Sequence, residues 1–287
     1  MEPQTLSSSI VQNFTPTRKS TSRKGDNGIV LVVGGSYIYH GAPVLSSLAA
    51  LRCGTDLVYT CVPKINVTPT RAISPNLIVI PLVDQKLTLG AVKKLVGALP
   101  RNLHSATIGM GLAIQEKNSL LHLVKSLLDR DVRLSLDASA LIPEVLPILA
   151  HKNVVVTPHA GEFKRLFGDV PSDSNLERIK LVEENALKHG ITILLKGSTD
   201  IISDGKITYL CEKNTPAMTV GGTGDVLSGL VAGLLSTNRN PLESAAAASY
   251  ICGLAGKEVQ EKLGLHITSM DLIDSIPSVM KPFDKII

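Results

Sequence analysis

Compact apolar runs alternate along the chain with segments whose apolar residues recur at three- and four-residue spacing. Residues 28–34 (GIVLVVG) form a continuous β-branched run, the pattern of a strand buried on both faces of a parallel sheet. Residues 44–52 follow with helical spacing, and Pro43 suits the first turn of that helix. The alternation then repeats. Residues 56–62 read as a strand, 88–99 as a helix, 106–112 as a short strand closing on a glycine turn, and 116–128 as an amphipathic helix. Residues 132–136, 153–157 and 191–195 predict three more strands, and 174–189 a long helix that Gly190 stops. Residues 201–208 predict a hairpin in which Gly205 supplies the positive φ of a tight turn. Residues 226–235 and 243–262 predict helices rich in Ala and Gly, and Thr268 caps a terminal helix that Pro277 interrupts. Between the second strand and the next helix, residues 63–81 are punctuated by proline and read as extended. This order predicts an α/β fold, a doubly wound, mostly parallel sheet with helices on both faces. Residues 1–24 are polar and aperiodic and read as an extended or partly disordered arm. No repeat or linker divides residues 25–287, so they are expected to form one domain.

Composition narrows the function. A hydrophobic content of 44% over 287 residues supports a sizeable core. Aromatic residues make up 3% and Trp is missing, which argues against stacked-base recognition of nucleic acid. The net charge of +4 is modest, and the basic cluster Arg18, Lys19, Arg23 and Lys24 reads as a solvated face of the arm. Four cysteines, Cys53, Cys61, Cys211 and Cys252, are widely spaced without a CxxC pair, as expected of buried thiols in a reducing cytoplasm. The first twenty residues lack a signal-peptide core, and the later apolar stretches are broken by Gly and Asp225, so no membrane span is expected.

The chemistry is concentrated in residues 214–229 (NTPAMTVGGTGDVLSG). Gly221, Gly222 and Gly224 lack the Cβ atoms that would hold a backbone away from a bulky anion, and they run directly into a helical pattern. The first turn of a helix offers unpaired N–H groups at the positive end of its dipole, so residues 222–224 form a candidate phosphate cradle. A carboxylate would repel a phosphate there. Asp225 therefore reads either as a first-turn acid favoured by the dipole or as a base facing the hydroxyl of a second substrate. Other strand ends carry chemistry too. Asp137 can cap a helix beginning near Ser139, hold Mg²⁺ through water, or orient a catalytic group. In residues 157–163 (TPHAGEF), His159 reads as a loop residue and Glu162 as a capping acid, with no ligand set in register for zinc. Lys196 beside Gly197 can neutralise a phosphate as a point charge.

Taken together these motifs carry a resemblance. GTGD at residues 222–225 resembles the signature of the ribokinase-like superfamily, and the longer TPAMTVGGTGDVLSG resembles the ADP- or ATP-dependent NAD(P)H-hydrate dehydratases. Gly34-Gly35-Ser36 with residues 39–43, VTPHAGEF and the KGSTD segment at 196–200 are similar to that family's other motifs, over roughly residues 25–276. At residues 109–113 Met110 and Ala113 replace a proline and a glycine of the family's GPGLG loop. The resemblance implies a ribokinase-like fold without a separate lid, and dehydration of NADHX or NADPHX to NADH or NADPH at the expense of ADP or ATP. It implies substrate contacts at Ala42, Gly111, His159 and Asp225, with Asp225 as the catalytic base. It implies nucleotide contacts at Lys196, Gly197, Ser198, Thr199, Asp200, Met218, Thr219, Gly221, Gly222, Thr223 and Gly224, and assistance from Mg²⁺. A homotetramer is also implied, for which the Ala-rich helices are the sequence support. Because the segment before the first strand is too short for an epimerase domain, that companion activity is expected on a separate protein. Two rivals remain open: a ribokinase-like kinase of a small alcohol such as hydroxyethylthiazole or a pyridoxine, and a nucleotide sensor without turnover.

Overall fold

The computed structural model describes residues 2–171, 174–213 and 215–287, so Asn214 of the glycine-rich motif lies outside the described residues. In chain order the elements are β1 (Gln4–Thr5), α1 (Ser8–Phe14), β2 (Ile29–Val33), α2 (Ala42–Arg52), β3 (Leu57–Pro63), α3 (Val67–Ile73) and β4 (Ile78–Leu82). Next come α4 (Leu89–Ala98), β5 (Ser105–Ile108), α5 (Lys117–Leu128), β6 (Arg133–Leu136), α6 (Leu146–Leu149), β7 (Val154–Val156), α7 (Ala160–Phe167) and α8 (Asn175–His189). The last are β8 (Thr192–Leu195), β9 (Thr199–Ser203), β10 (Thr208–Glu212), α9 (Thr223–Thr237), α10 (Pro241–Leu263) and α11 (Ser269–Met280).

Among the described residues ten strands make one sheet in the order β1-β10-β9-β8-β7-β6-β5-β2-β3-β4. Only β9 runs against its neighbours, through the hairpin that Gly205 turns at φ +85°. The fold is thus α/β and mostly parallel, as the alternation predicts. Side-chain alternation along β2 divides the interior. Ile29, Leu31 and Val33 join one core with α4, α5, α7 and α8, while Val30 and Val32 point into the opposite layer beside α2 and α9. Burying each such aliphatic side chain contributes about 1.5–3 kcal/mol, so neither face of the sheet can be left uncovered.

Helix α9 is the innermost helix, with every residue from Val226 to Ser236 buried. Its small residues permit close approach. A Cβ on Gly229 would lie 2.1 Å from the Ser46 carbonyl oxygen of α2, and one on Gly233 would lie 2.1 Å from Cys53 Sγ. Hydroxyls tie α9 to the sheet beneath: Ser105 donates to the Ala232 carbonyl at 2.7 Å, and the Thr107 and Ser228 hydroxyls meet at 2.6 Å. The alanines of α10, Ala245 to Ala248, are fully buried in the same layer. They serve the fold, so the support that Ala-rich helices lent to a tetramer is withdrawn.

Three segments depart from the expected pattern. Residues 4–14 are folded rather than an extended arm: β1 pairs with β10, Ser7 caps α1, and Leu6, Val11 and Phe14 enter the core, Phe14 edge-on to Tyr209 at 5.5 Å between ring centroids. Within the segment expected to be extended, α3 forms because Pro69 falls in its first turn, where no intrahelical N–H bond is lost. Pro277 likewise sits inside α11 without ending it, and the helix runs on to Met280 behind the Thr268–Asp271 capping box. Among the described residues no helix is long and apolar enough to cross a membrane.

Candidate functional site

The carboxyl ends of the parallel strands deliver the motif residues to one edge of the sheet. β6 ends at Leu136 and hands on Asp137, β7 leads to His159 at the start of α7, and β8 ends beside Lys196. The backbones of His159 and Lys196 form a bridge, with the Lys196 N–H donating to the Pro158 carbonyl at 2.8 Å. Against this edge stands the amino end of α9. Gly222 precedes the helix at φ +94°, and a Cβ there would fall 2.7 Å from both Leu45 Cδ1 and Ser269 Oγ, so only glycine fits. The Thr223 hydroxyl donates to the Met218 and Val220 carbonyls, fixing the preceding turn on the helix. No side chain caps α9, so the N–H groups of Thr223, Gly224 and Asp225 keep the donor capacity of a first turn. A Cβ on Gly224 would meet only Lys196 Nζ, at 3.6 Å.

Lys196 Nζ donates to Asp137 Oδ1 at 2.8 Å and lies 3.5 Å from Glu162 Oε2. Burial alone would lower its pKa, but the Asp137 and Glu162 carboxylates outweigh it and hold the ammonium above its ordinary range. Asp137 therefore does not cap a helix through its side chain, because Lys196 claims its carboxylate and the turn that follows is a short 3₁₀ segment. Asp225 faces the same group. Its carboxyl is pushed up to about 7, first by burial and then by the Asp137 and Glu162 charges, with Lys196 opposing. Its carboxylate makes no hydrogen bond to a described side chain, while its backbone carbonyl accepts from the Ser46 hydroxyl at 2.7 Å. Among the described residues no three His, Cys, Asp or Glu side chains converge as a metal-binding cluster.

A cavity of about 750 Å³ opens beside this cluster. Lys196, Gly197, Ser198, Met218, Thr219, Thr223, Gly224 and His159 of the sequence-derived set line it. Thr199, Gly221, Gly222, Asp200 and Asp225 do not. Gly221 is exposed and accepts from Ser269 Oγ, and Thr199 begins β9. Asp200 is fully buried and cannot meet a nucleotide: it accepts from the Gly197 N–H and the Ser249 hydroxyl and pairs with Lys213 Nζ at 2.7 Å. Lys213, also in the cavity wall, escaped the sequence reading. Burial pulls its ammonium down, yet Asp200 and the neighbouring cysteines more than offset this. No local pattern signals that pair, since a lone lysine after a strand is unremarkable.

His159 is more than a loop residue. Its Nδ1 accepts from the Gly161 and Glu162 N–H groups while Glu162 Oε2 accepts from the His159 N–H at 2.9 Å, a capping box that leaves the ring partly exposed. Glu162 thus combines the expected capping role with proximity to Lys196. On the other flank, Ala42 and Gly111 come together beneath Tyr39: a Cβ on Gly111, at φ +62°, would lie 2.5 Å from Tyr39 Cβ and 3.4 Å from Ala42 Cβ. They lie outside the cavity, but Ala42 opens α2, which reaches Asp225 through Ser46. The loop before α2 is unusual in exposing Tyr37, Ile38 and Tyr39 at 71%, 73% and 63%.

A mostly parallel, doubly wound sheet with an uncapped glycine-led helix start and a cavity at its carboxyl edge defines a protein of the ribokinase-like class. Solved structures agree. An ADP/ATP-dependent NAD(P)H-hydrate dehydratase from Bacillus subtilis, co-crystallised with ATP/Mg²⁺, superimposes with TM-score 0.85 at 26% identity, covering 99% of this chain and 100% of that one. The chain belongs to the NAD(P)H-hydrate dehydratase family, whose model matches residues 30–278. An ADP-dependent (S)-NAD(P)H-hydrate dehydratase of Nitrosopumilus maritimus is 80% identical over the whole of both chains. A protein of the same description from Cenarchaeum symbiosum is 64% identical over 96% of each.

Proposed function

We propose that the chain dehydrates the hydrated nicotinamide cofactors NADHX and NADPHX to NADH and NADPH, with ADP as phosphoryl donor. The observation that carries the reading is the position of Asp225. Asp225 sits in the first turn of α9 next to Gly224 of the cavity wall, its backbone is tied to α2 through Ser46, and its carboxyl shares its surroundings with Lys196, Asp137 and Glu162 and is free of side-chain hydrogen bonds to described residues. The donor preference is supported by the name of the 80%-identical relative.

Hydroxide is a poor leaving group. Phosphoryl transfer from ADP, which leaves as AMP, turns the ring hydroxyl into a phosphate ester; the ring nitrogen's electron pair expels phosphate, and loss of a proton from the adjacent ring carbon of the resulting iminium restores the dihydronicotinamide. Asp225 would take the hydroxyl proton, for which a carboxyl poised near neutrality is suited. The N–H groups of Thr223 and Gly224 would stabilise the charge developing on the transferred group, with Lys196 alongside. Asp137 and Glu162 hold Lys196 in place and charged. Thr219 and Met218 support a nucleotide wall, Met218 being packed where a Cβ on Gly256 would intrude. The exposed Tyr37, Ile38 and Tyr39 are suited to covering the nicotinamide ring on the Ala42–Gly111 side.

Mg²⁺ fits as a phosphate-borne ion, because no three metal-ligating side chains converge among the described residues, and it would supply neutralising charge on the donor's phosphates. Four free, buried cysteines support a cytoplasmic setting. The test is direct. Supplying NADHX with ADP or ATP should restore dihydronicotinamide absorbance and release one inorganic phosphate per turnover. A stable phosphorylated product would instead indicate a small-alcohol kinase, and consumption of neither ligand a nucleotide sensor.

A further inference from the structure

At the far end of α9, beneath the amino ends of the strands, lies a second cavity of about 410 Å³. A fifteen-residue helix separates it from Asp225 by about 20 Å, so it is no extension of the site above. Its floor is Arg133, the first residue of β6, which is only 8% exposed. The Arg133 Nε donates to the His104 carbonyl at 3.2 Å, but Nη1 has no hydrogen-bond partner, and no carboxylate of a described residue lies within ion-pair distance of the guanidinium. A buried guanidinium with a nitrogen left without an acceptor is costly, and an oxyanion held against Arg133 would relieve that cost.

The neighbouring groups point the same way. Arg239 shares the cavity wall and makes no ion pair with a described residue. His104 Nδ1 accepts the Ile29 N–H at 3.0 Å, which leaves Nε2 to carry the proton of a neutral ring and act as a donor. Four cationic side chains and two carboxylates line the cavity; Arg18 is offset by Asp56 at 3.6 Å, which leaves Arg133 and Arg239 as the guanidinium groups without an ion pair among the described residues, and Met280 and Phe283 supply an apolar wall. A charge of minus two on a compact forked acceptor, joined to an apolar body, describes a phosphomonoester rather than a carboxylate. The volume lies within the range of small-ligand sites.

We propose that this cavity binds a small phosphomonoester, with the phosphate between Arg133 and Arg239 and the organic body against Phe283. The test titrates phenyl phosphate into the full chain by calorimetry, with the non-hydrolysable ATP analogue AMPPNP already saturating the nucleotide cavity. Saturable binding with a dissociation constant of about 10 mM or tighter is expected. Arg239→Met, at an exposed position, and Arg133→Lys, which keeps the charge but loses the fork, should each weaken it about tenfold or more with an unchanged melting temperature. Benzoate should bind at least tenfold more weakly than phenyl phosphate. Absence of saturation, undiminished binding in both variants, or equal affinity for benzoate would each overturn the proposal.

Discussion

Replacing Asp225 by Asn should trade activity for stability, and by an amount that depends on pH. The folded protein holds the Asp225 carboxyl at about 7 against an ordinary 3.8. A raised carboxyl pKa means that the folded state retains a proton the unfolded chain has lost. Stability from this group is complete below about pH 4, declines as pH rises, and is gone above about 7. Between pH 5 and 7 that is two pH units at about 1.4 kcal/mol each, or about 2.7 kcal/mol, and water at the cavity mouth reduces it to about 1–2 kcal/mol. Asn has nearly the same shape and does not titrate. The variant's gain in melting temperature should therefore be larger at pH 8 than at pH 5, by roughly 3–6 °C for a chain of this size. Calorimetric unfolding of both proteins at the two pH values and constant salt measures this difference. Turnover in the same preparations should fall about a hundredfold or more. A gain equal at both pH values would refute the electrostatic placement, and activity within tenfold of the parent would refute the role of base.

Three further outcomes follow from the same geometry. The parent kcat/KM should rise with pH through about 7 as Asp225 loses its proton, and Lys196→Met, which removes the cation opposing Asp137 and Glu162, should move that midpoint upward in a pH–rate profile. Gly224→Ala should fold normally, since a Cβ there meets only Lys196 Nζ, yet weaken ADP binding about tenfold by placing a methyl in the amide cradle; equal affinity by calorimetry would show that nucleotide does not sit there. His159→Ala should cost about 1 kcal/mol by removing the α7 cap, and His159→Asn should restore that stability; if Asn also restores KM, the imidazole acts through the cap alone rather than on substrate.

The sheet was legible because parallel strands covered on both faces read as unbroken apolar runs, and residues 29–33 or 192–195 have no competing period. The segments that escaped are those where tertiary contact overrides a weak local pattern. α1 has only Ile10, Val11 and Phe14 as apolar residues, too few to declare a helix before Tyr209 is seen to receive them. The glycine-rich turn and the helix it opens were readable from the missing Cβ atoms alone. The partnerships around them were not. Lys196 and Asp137 are 59 residues apart, Ser249 and Asp200 are 49 apart, and nothing local in KGSTD distinguishes the residue that lines the cavity from the one buried beneath it.

That division between wall and support explains how one edge of the sheet can hold so much opposing charge. Lys213 is neutralised from below by the buried Asp200, which also fixes the Gly197 N–H, so the KGSTD turn is held from the interior. Lys196 is neutralised from the side by Asp137 and Glu162, which with Asp225 leaves three carboxylates around one ammonium next to the cavity. Before ligands arrive burial, joined by this excess of negative charge, holds the Asp225 pKa up to about 7, and the charge disfavours a bare phosphate. A donor whose phosphates bring countercharge would reverse that balance, lower the Asp225 pKa, and ready the base only when the phosphoryl group is in position. The same electrostatics that make the empty site costly to ionise would thus tie proton removal to the presence of the donor.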